Sequence, residues 1–512
     1  MSVALIVALG GFLMGFDASV ISGVVTFIET EFALGKLQLG WVVASLTLTA
    51  TLGMLVAGPL ADRLGRRPVL FAAAVLFTVS ALASALAPGY VSLVAARMLG
   101  GLAVGAALIV APMYIAEISP AGLRGRTVSF NQLNIVLGIS AAFFSNYLIL
   151  QVGRIEGGLF EALGFGRHGW RWMLAVEALP AAAYFAALFF VPESPRWLLL
   201  KGMPGRARAV LERLGGGDAR AEIAALEASL SAGGAARGER SLAALFRPGM
   251  RFVLAIGISV AILQQITGIN AVFFYAPMIF EHSGIGTDAS FMQAVLVGLV
   301  NIAFTVAAIL LIDRLGRRPL LLFGLAGITV CMLLLWYGFW SASYVLEPQH
   351  LALAGTPLDA AALQPLAGQV YASDVAFREA AIAALGPEAW QEHRSALVAA
   401  AIDMNPLLIL LGILGFVACF AMSLGPVMWV LFSELFPNRL RGLAISFVGV
   451  INSAVSFTVQ LVFPWELEQV GNAGTFLIYG AFAAIGFAVL WRLLPETRGR
   501  SLEQLEAELV RS

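Results

Sequence analysis

The stretch QQITGINAVFFY, residues 264–275, sets Gln264, Gln265, Thr267 and Asn270 inside an apolar run from about 252 to 280. Amides in lipid are costly unless they are partnered. Each glutamine or asparagine offers one acceptor and two donors without net charge, the chemistry of a site for a neutral, hydroxyl-rich ligand. Gly268 and Pro277 interrupt the helix, which is tolerated where backbone lines a cavity rather than lipid. The alternative is that these amides only join neighbouring helices. Two adjacent glutamines, with Asn270 five residues after Gln265, favour the site.

The surrounding chain has the composition of a membrane protein. Of 512 residues, 60% are hydrophobic and 12% charged, against roughly 45–50% and 25% in globular domains. The 31 basic and 31 acidic residues cancel, so no nucleic-acid partner is indicated. Cys331 and Cys419 both fall in apolar spans and read as small core residues, with no disulfide expected. Apolar sequence begins at Val3 and flows into a full-length span, so the first segment is expected to be a retained helix. Lysine occurs only at 36 and 201, and no phosphate-cradling loop, nucleophile elbow or metal-ligand spacing is present. An enzyme is therefore not expected, nor a cofactor or a metal.

Apolar windows of about 20 residues give twelve spans, near 3–28, 38–61, 68–88, 91–116, 127–151, 170–191, 251–281, 289–312, 318–341, 405–433, 441–465 and 472–494. Residues 193–250 are polar with helical periodicity and read as short surface helices joining two halves. Placing both termini in the cytoplasm puts Arg63, Arg66, Arg67, Arg124, Arg126, Arg314, Arg317, Arg318, Arg439 and Arg441 in short inner loops. Only Lys36, Arg154, Arg167 and Arg171 then lie in short outer ones. The halves repeat. DRLGRRP stands at 62–68 and 313–319, Glu117/Arg124 is matched by Glu434/Arg441, and PES at 192–194 by PET at 495–497. The predicted fold is an all-α membrane protein with twelve transmembrane helices in two pseudo-symmetric six-helix bundles. The bundles are 1–192 and 251–494, joined by the linker 193–250, with a cytoplasmic tail at 495–512. Between spans nine and ten, 342–404 forms an extended outer loop with at least one amphipathic helix near 373–400.

Two further sets of residues carry chemistry. The repeated hairpin Asp62, Arg66, Arg67 and Asp313, Arg317, Arg318 can bind carboxylates or helix C-termini across the bundle and release them as the halves rock. Glu117 with Arg124 and Glu434 with Arg441 are expected to complete this latch. Asp17 lies near the middle of the first span, where an acid costs about 2.5–3.5 kcal/mol on insertion scales. Arg97 in the fourth span can reach its depth. Protonation of Asp17 would release the arginine, a device for proton coupling; a permanent structural pair is the alternative. Trp429, after Gly425-Pro426, can stack on an apolar sugar face. Gln132, Asn301 and Asn452 add polar groups in spans five, eight and eleven.

The motifs DRLGRR (twice), PMYIAEISPAGLRG, SFNQ, PESPRWLL, QQITGINAVFFYAP, GPVMWVLFSELFPNRLRG and PETRGRSLEQLE stand in one order over nearly the whole chain. In this the sequence resembles the sugar porter family of the major facilitator superfamily. The resemblance implies alternating access, with a hexose or pentose bound between the halves by a carrier expected to work as a monomer in the bilayer. It also implies sugar-contacting roles for Gln132, Gln264, Gln265, Asn270, Tyr275, Asn301, Trp429 and Asn452. Asp17 and Arg97 resemble the proton-linked pair of bacterial symporters, and the ten hairpin and span-end charges the cytoplasmic gating network. Ile139 stands where xylose–proton symporters tend to carry Gln, which tilts the ligand toward glucose. Ser453 replaces a frequent Trp, and Phe274 the first of two Tyr. The expected function is import of a monosaccharide, glucose or xylose first, with a proton. A facilitative uniporter and a membrane sugar sensor are the alternatives. Absence of N-x-[ST] acceptor sites fits a bacterial inner membrane.

Overall fold

The computed structural model describes residues 2–119, 124–214, 242–347, 363–437 and 440–498, together with 223, 224 and 227; at 2, 124–129, 391, 392 and 395 it describes backbone alone. Twelve helices are long and apolar enough to cross a membrane. The first six are Val3–Gly23, Lys36–Leu64, Arg66–Ala85, Tyr90–Ile118, Phe130–Val152 and Gly169–Phe190. The second six are Pro248–Glu281, Thr287–Leu315, Arg317–Trp340, Pro406–Leu435, Arg441–Gln469 and Gly471–Leu493. Helix is what lipid enforces on such runs, because it satisfies every backbone N–H and C=O within the segment.

Spans seven and ten leave helical geometry part-way. Span seven is a helix from Pro248 to Ile266, then Gly268 in the left-handed region (φ 91°), then a second helix from Ile269 to Glu281. Within that helix Tyr275 leaves helical geometry (φ −124°, ψ 15°) two residues before Pro277, which has no N–H to donate. Span ten breaks at Ser423 (φ −127°, ψ −94°) rather than at Gly425-Pro426 themselves. The missing N–H of Pro426 removes a helical bond one turn back, so the break falls upstream of the motif.

Glycines set the tightest crossings. A Cβ on Gly15 would lie 2.0 Å from the carbonyl oxygen of Ile135, and one on Gly138 2.0 Å from that of Phe12, so spans one and five touch backbone to backbone. Gly101 and Gly105 bring span four equally close to span two, at Leu46 and Ala50. Small residues at such contacts supply the packing that holds helices together in lipid. We expect Gly15→Val to cost about 2–3 kcal/mol, the penalty of overpacking a closed contact, read as a lower midpoint in detergent thermal unfolding.

Spans two and three are separated by Gly65 alone, and spans eight and nine by Gly316 alone, at φ 105° and 92°. These hairpins mark one face of the molecule. Among the described residues, the bonds and ring contacts between the halves run from mid-span toward the opposite face. Thr47 donates to Gln460 Oε1 at 2.9 Å, Ser140 donates to the Gly298 carbonyl at 2.9 Å, and Trp41 meets Phe457 edge-on. Phe27 packs on Phe291, and Arg154 pairs with Asp288. The halves are thus closed together on the far face.

The chain between the halves forms short helices at Pro195–Leu200 and Pro204–Leu214; much of the expected helical stretch beyond 214, and the tail from 499, lie outside the described residues. The segment between spans nine and ten is a small folded unit on the far face. Strand Ser343–Val345 pairs antiparallel with both Val370–Tyr371 and Ile402–Asp403. The expected amphipathic helix is two, Asp374–Leu385 and Pro387–Ala401, divided by Gly386 at φ 84°. They bury Phe377 and Leu397 with Tyr344 and Leu366 in a separate core.

Candidate functional site

Three amides of the opening stretch join into one network with span eleven. Gln265 Nε2 donates to Gln264 Oε1 (3.0 Å) and to Asn452 Oδ1 (3.2 Å). Asn452 Nδ2 donates to Gln264 Oε1 at 2.7 Å and to the Ala261 carbonyl at 2.9 Å. Asn270 Nδ2 donates to Gln265 Oε1 and to Ser456 Oγ, each at 2.8 Å. Gln460 Nε2 continues the chain to Ser456 Oγ at 2.8 Å and, through Thr47, crosses into the first half. The break in span seven makes this possible: it lets Asn270 turn back onto Gln265 across Gly268, where a continuous helix would hold the two apart. Gln264 also reaches the Leu424 carbonyl just past the break in span ten, at 3.5 Å.

The remaining sugar candidates stand differently. Asn301 is buried on span eight and Gln132 half-buried on span five, and neither shares a described hydrogen bond with the network. Tyr275 is fully buried, its hydroxyl donating to the Gln460 carbonyl at 3.0 Å and its ring against Phe463. It bolts span seven to span eleven rather than presenting a face to a ligand. Trp429 is exposed and meets Phe432 edge-on, and it shares no described hydrogen bond with the amides. Ser456 and Gln460 were legible and not assigned: with Asn452 they stand four residues apart, one face of one helix.

Asp17 and Arg97 form a buried pair, and Arg97 Nη1 also donates to the Asp17 main-chain carbonyl at 3.1 Å. The second carboxylate oxygen of Asp17 has no partner; it lies beside Gly100, where a Cβ would sit 2.6 Å from it and 2.6 Å from Ser80 Oγ. A third group belongs here. Glu177 in span six is 2% exposed, has an unpartnered Oε1 and feels the charges of both Asp17 and Arg97. One guanidinium balances one carboxylate, so the cluster is neutral when it holds one proton. The argument that singles out Asp17, an acid inside an apolar span, applies equally to Glu177.

The hairpin charges meet carboxylates and helix ends. Glu117 pairs with Arg66 (2.8 and 2.9 Å); the Arg124 side chain lies outside the described residues. Glu434 pairs with Arg317 at 2.8 Å and accepts from Thr497 Oγ1 at 2.7 Å, not from Arg441, whose Nε donates to the Phe436 carbonyl. Asp62 and Asp313 add contacts to Arg66 and Arg317, each at 3.1 Å. Arg67 caps the carbonyls of Leu188 and Phe189 at the end of span six, and Arg318 that of Trp491 in span twelve. Each of these contacts closes within one half, between the ends of different spans of the same bundle. Glu193 and Glu496, quoted in PES and PET without a role, accept from the backbone N–H groups of Arg66 and Arg67 and of Arg317 and Arg318. Helix N-termini bind anions this way. A Cβ at Gly65 would lie 2.3 Å from Glu193, and at Gly316 2.7 Å from Glu496, which explains both glycines.

A family model described as "Sugar (and other) transporter" matches residues 3–353 and 384–509. The chain belongs to that family. It is 33% identical to the arabinose-proton symporter of Bacillus subtilis over 97% of this chain and 92% of that protein. It is 35% identical to a glucose transport protein of Synechocystis sp. over 98% and 95%. Among solved structures it is similar to the inward open conformation of the xylose transporter XylE from E. coli, at TM-score 0.74 and 31% identity over 99% of each chain. The twelve-span fold of this transporter is thus that of a carrier, not of an enzyme.

Of the stretch of this transporter that the family model leaves unmatched, 354–383, the described residues 363–383 lie in the far-face unit. That unit meets the first half at Glu29, which pairs with Arg394 Nη2 at 2.8 Å and with Lys36. Burial pushes the Glu29 carboxyl up, but the Arg394 and Lys36 cations outweigh it and bring it down to about 2. Burial, with Arg394 and Lys36 close by, lowers His282 to about 4 against its contact with Asn472. Both groups therefore take up protons less readily when the unit is docked. Docking is strongest above about pH 6.5, weakens toward pH 4 as His282 charges, and loses the Glu29 contribution between about 4.5 and 2. Hydrogen exchange across 387–401, corrected for the intrinsic rate, is expected to follow that order.

Proposed function

We propose that this transporter imports a monosaccharide together with a proton by alternating access. The observation that carries the reading is the buried Asp17–Arg97 ion pair in the membrane interior, with a second buried acid, Glu177, close enough to feel both charges. A proton arriving at Asp17 loosens the arginine, and the freed cluster lets the first half repack against the second. Sugar binds at Gln264, Gln265, Asn270 and Asn452, whose uncharged donors and acceptors match hydroxyl groups; Gln132, Asn301 and Trp429 complete the pocket as the halves move. The moving bodies are 1–192 and 251–494, with 193–250 as the cytoplasmic linker between them, and the carrier acts as a monomer in a bacterial cell membrane. Arginine placement supports the hairpin face as the cytoplasmic one, with both termini there. On that orientation the far-face closure corresponds to an inward-facing carrier. The charge networks at the hairpins hold the cytoplasmic ends of each half rigid while the halves rock.

The test is uptake of arabinose, xylose and glucose into proteoliposomes, with and without an imposed inward proton gradient. Accumulation above the external concentration, only with the gradient, is the expected result for at least one sugar. Equilibration at the same rate with or without the gradient would make the protein a uniporter and Asp17–Arg97 a static pair.

A further inference from the structure

We propose that the unit formed by 343–347 and 363–403 is an ionic lid: through Arg394 on Glu29 it latches the two halves together at the outer face and holds the carrier inward-facing. The lid is fixed to the second half. Asp374 at the start of its first helix accepts from the Asn472 backbone N–H at 3.0 Å and from the Asn472 side-chain amide. Gly284, just past the end of span seven, lies so close beneath the lid that a Cβ there would sit 2.3 Å from Ile402. From this anchorage Arg394 reaches across to Glu29, at the outer end of span one in the other half. Opening the outer face must separate these two residues.

The charges around the contact make it a reversible latch rather than a permanent lock. Each partner has a second counter-charge on its own half. Glu29 keeps Lys36 of span two as an ion-pair partner, and Arg394 feels the charge of Glu281 at the end of span seven without pairing with it. On opening, neither charge is left without an opposite charge nearby, and a buried charge alone is the case that costs most. A cavity of about 240 Å³ remains between lid and body, lined by Glu29, Lys36, Tyr344, Trp390, Arg394 and Asn472 among others. The lid meets the first half through charges beside a void, not through a continuous apolar core, so separation exposes little apolar surface.

The same placement ties the latch to the substrate. Glu281 ends the helix Ile269–Glu281, and Asn270 of the amide network begins it. A shift of that helix when sugar engages Asn270 moves Glu281 relative to Arg394 and changes how strongly Arg394 is drawn to Glu29. A ligand shifts such an equilibrium only by its differential affinity for the two states, and the lid supplies a contact that one state has and the other lacks.

The test measures the outer face directly by electron–electron resonance between spin labels on Leu86→Cys and Val470→Cys. Both positions are exposed, at the far-face ends of the first and second halves respectively. The background carries Cys331→Ala and Cys419→Ala. Short distances should dominate in the reconstituted carrier without added sugar. Arg394→Ala is expected to raise the long-to-short ratio about tenfold, the effect of removing a hydrogen bond between charged groups. Glu29→Gln should do the same, and Arg394→Lys should stay near the parent. An unchanged distribution in Arg394→Ala that elutes and melts like the parent would overturn the proposal, as would Arg394→Lys opening as far as Arg394→Ala. Should Arg394→Ala not fold, Glu29→Gln decides by the same readout. No proton gradient or sugar enters the measurement, so its result stands apart from the coupling mechanism.

Discussion

Asp17→Asn is expected to abolish accumulation of sugar against its gradient while leaving downhill exchange within about tenfold of wild type. The asparagine keeps the size of the aspartate and can still accept from Arg97, but it cannot take up and release a proton. Asp17 sits against Arg97 with one carboxylate oxygen unpartnered beside Ser80 and Gly100, so the side-chain space exists and the change need not disturb the packing. Counterflow of labelled sugar between proteoliposome interior and medium, beside gradient-driven uptake, separates the two activities. Gradient-driven accumulation surviving in Asp17→Asn would remove Asp17 from the coupling step. Arg97→Ala is a harsher change. It leaves Asp17 and Glu177 buried without their cation, and uncompensated buried charge costs roughly 3–5 kcal/mol.

Gln265→Ala is expected to weaken sugar binding by about 10–100-fold. Gln265 is the hub of the amide network: it donates to Gln264 and Asn452 and accepts from Asn270. Truncation strands part of two buried amides, Gln264 and Asn452, and of the half-buried Asn270, each unmet buried group costing about 1–3 kcal/mol, and frees them to adopt arrangements in which they satisfy one another rather than a ligand. Titration of the purified carrier with the transported sugar measures the loss. An unchanged Kd would mean the network serves only to join spans seven and eleven, the alternative open from the sequence. Tyr275→Phe provides the contrast. It removes a hydroxyl bonded to backbone and should lower stability by about 1 kcal/mol with little effect on affinity.

The sequence alone determined the twelve spans, because lipid leaves a 20-residue apolar run no option but a helix and the period of the pattern is visible in one dimension. It also determined the repeat, the breaks after Gln265 and before Trp429, and the amides of span seven. The missed members show where that kind of reasoning stops. Glu177, and Ser456 and Gln460 on the helix face they share with Asn452, carried a usable signal, a polar group inside an apolar helix. Arg394 carried none. It is one charge among many in a polar segment, and its meaning depends on Glu29, 365 positions away in sequence.

Partner choice was likewise decided by tertiary structure. The sequence placed Glu117 and Glu434 in a latch with the hairpin and span-end arginines without saying which arginine each would meet; the carboxylates pair with Arg66 and Arg317 from other helices. Charges act through space over a few ångströms, and antiparallel packing brings together span ends that the chain separates by 51 and 117 residues. Whether a polar side chain lines a pocket or bolts two helices together depends on helix rotation and on the exact place of a break, as the burial of Tyr275 and the exposure of Trp429 show. Composition and period fix which residues can live in the membrane; the packing of one helix against another fixes which of them meet.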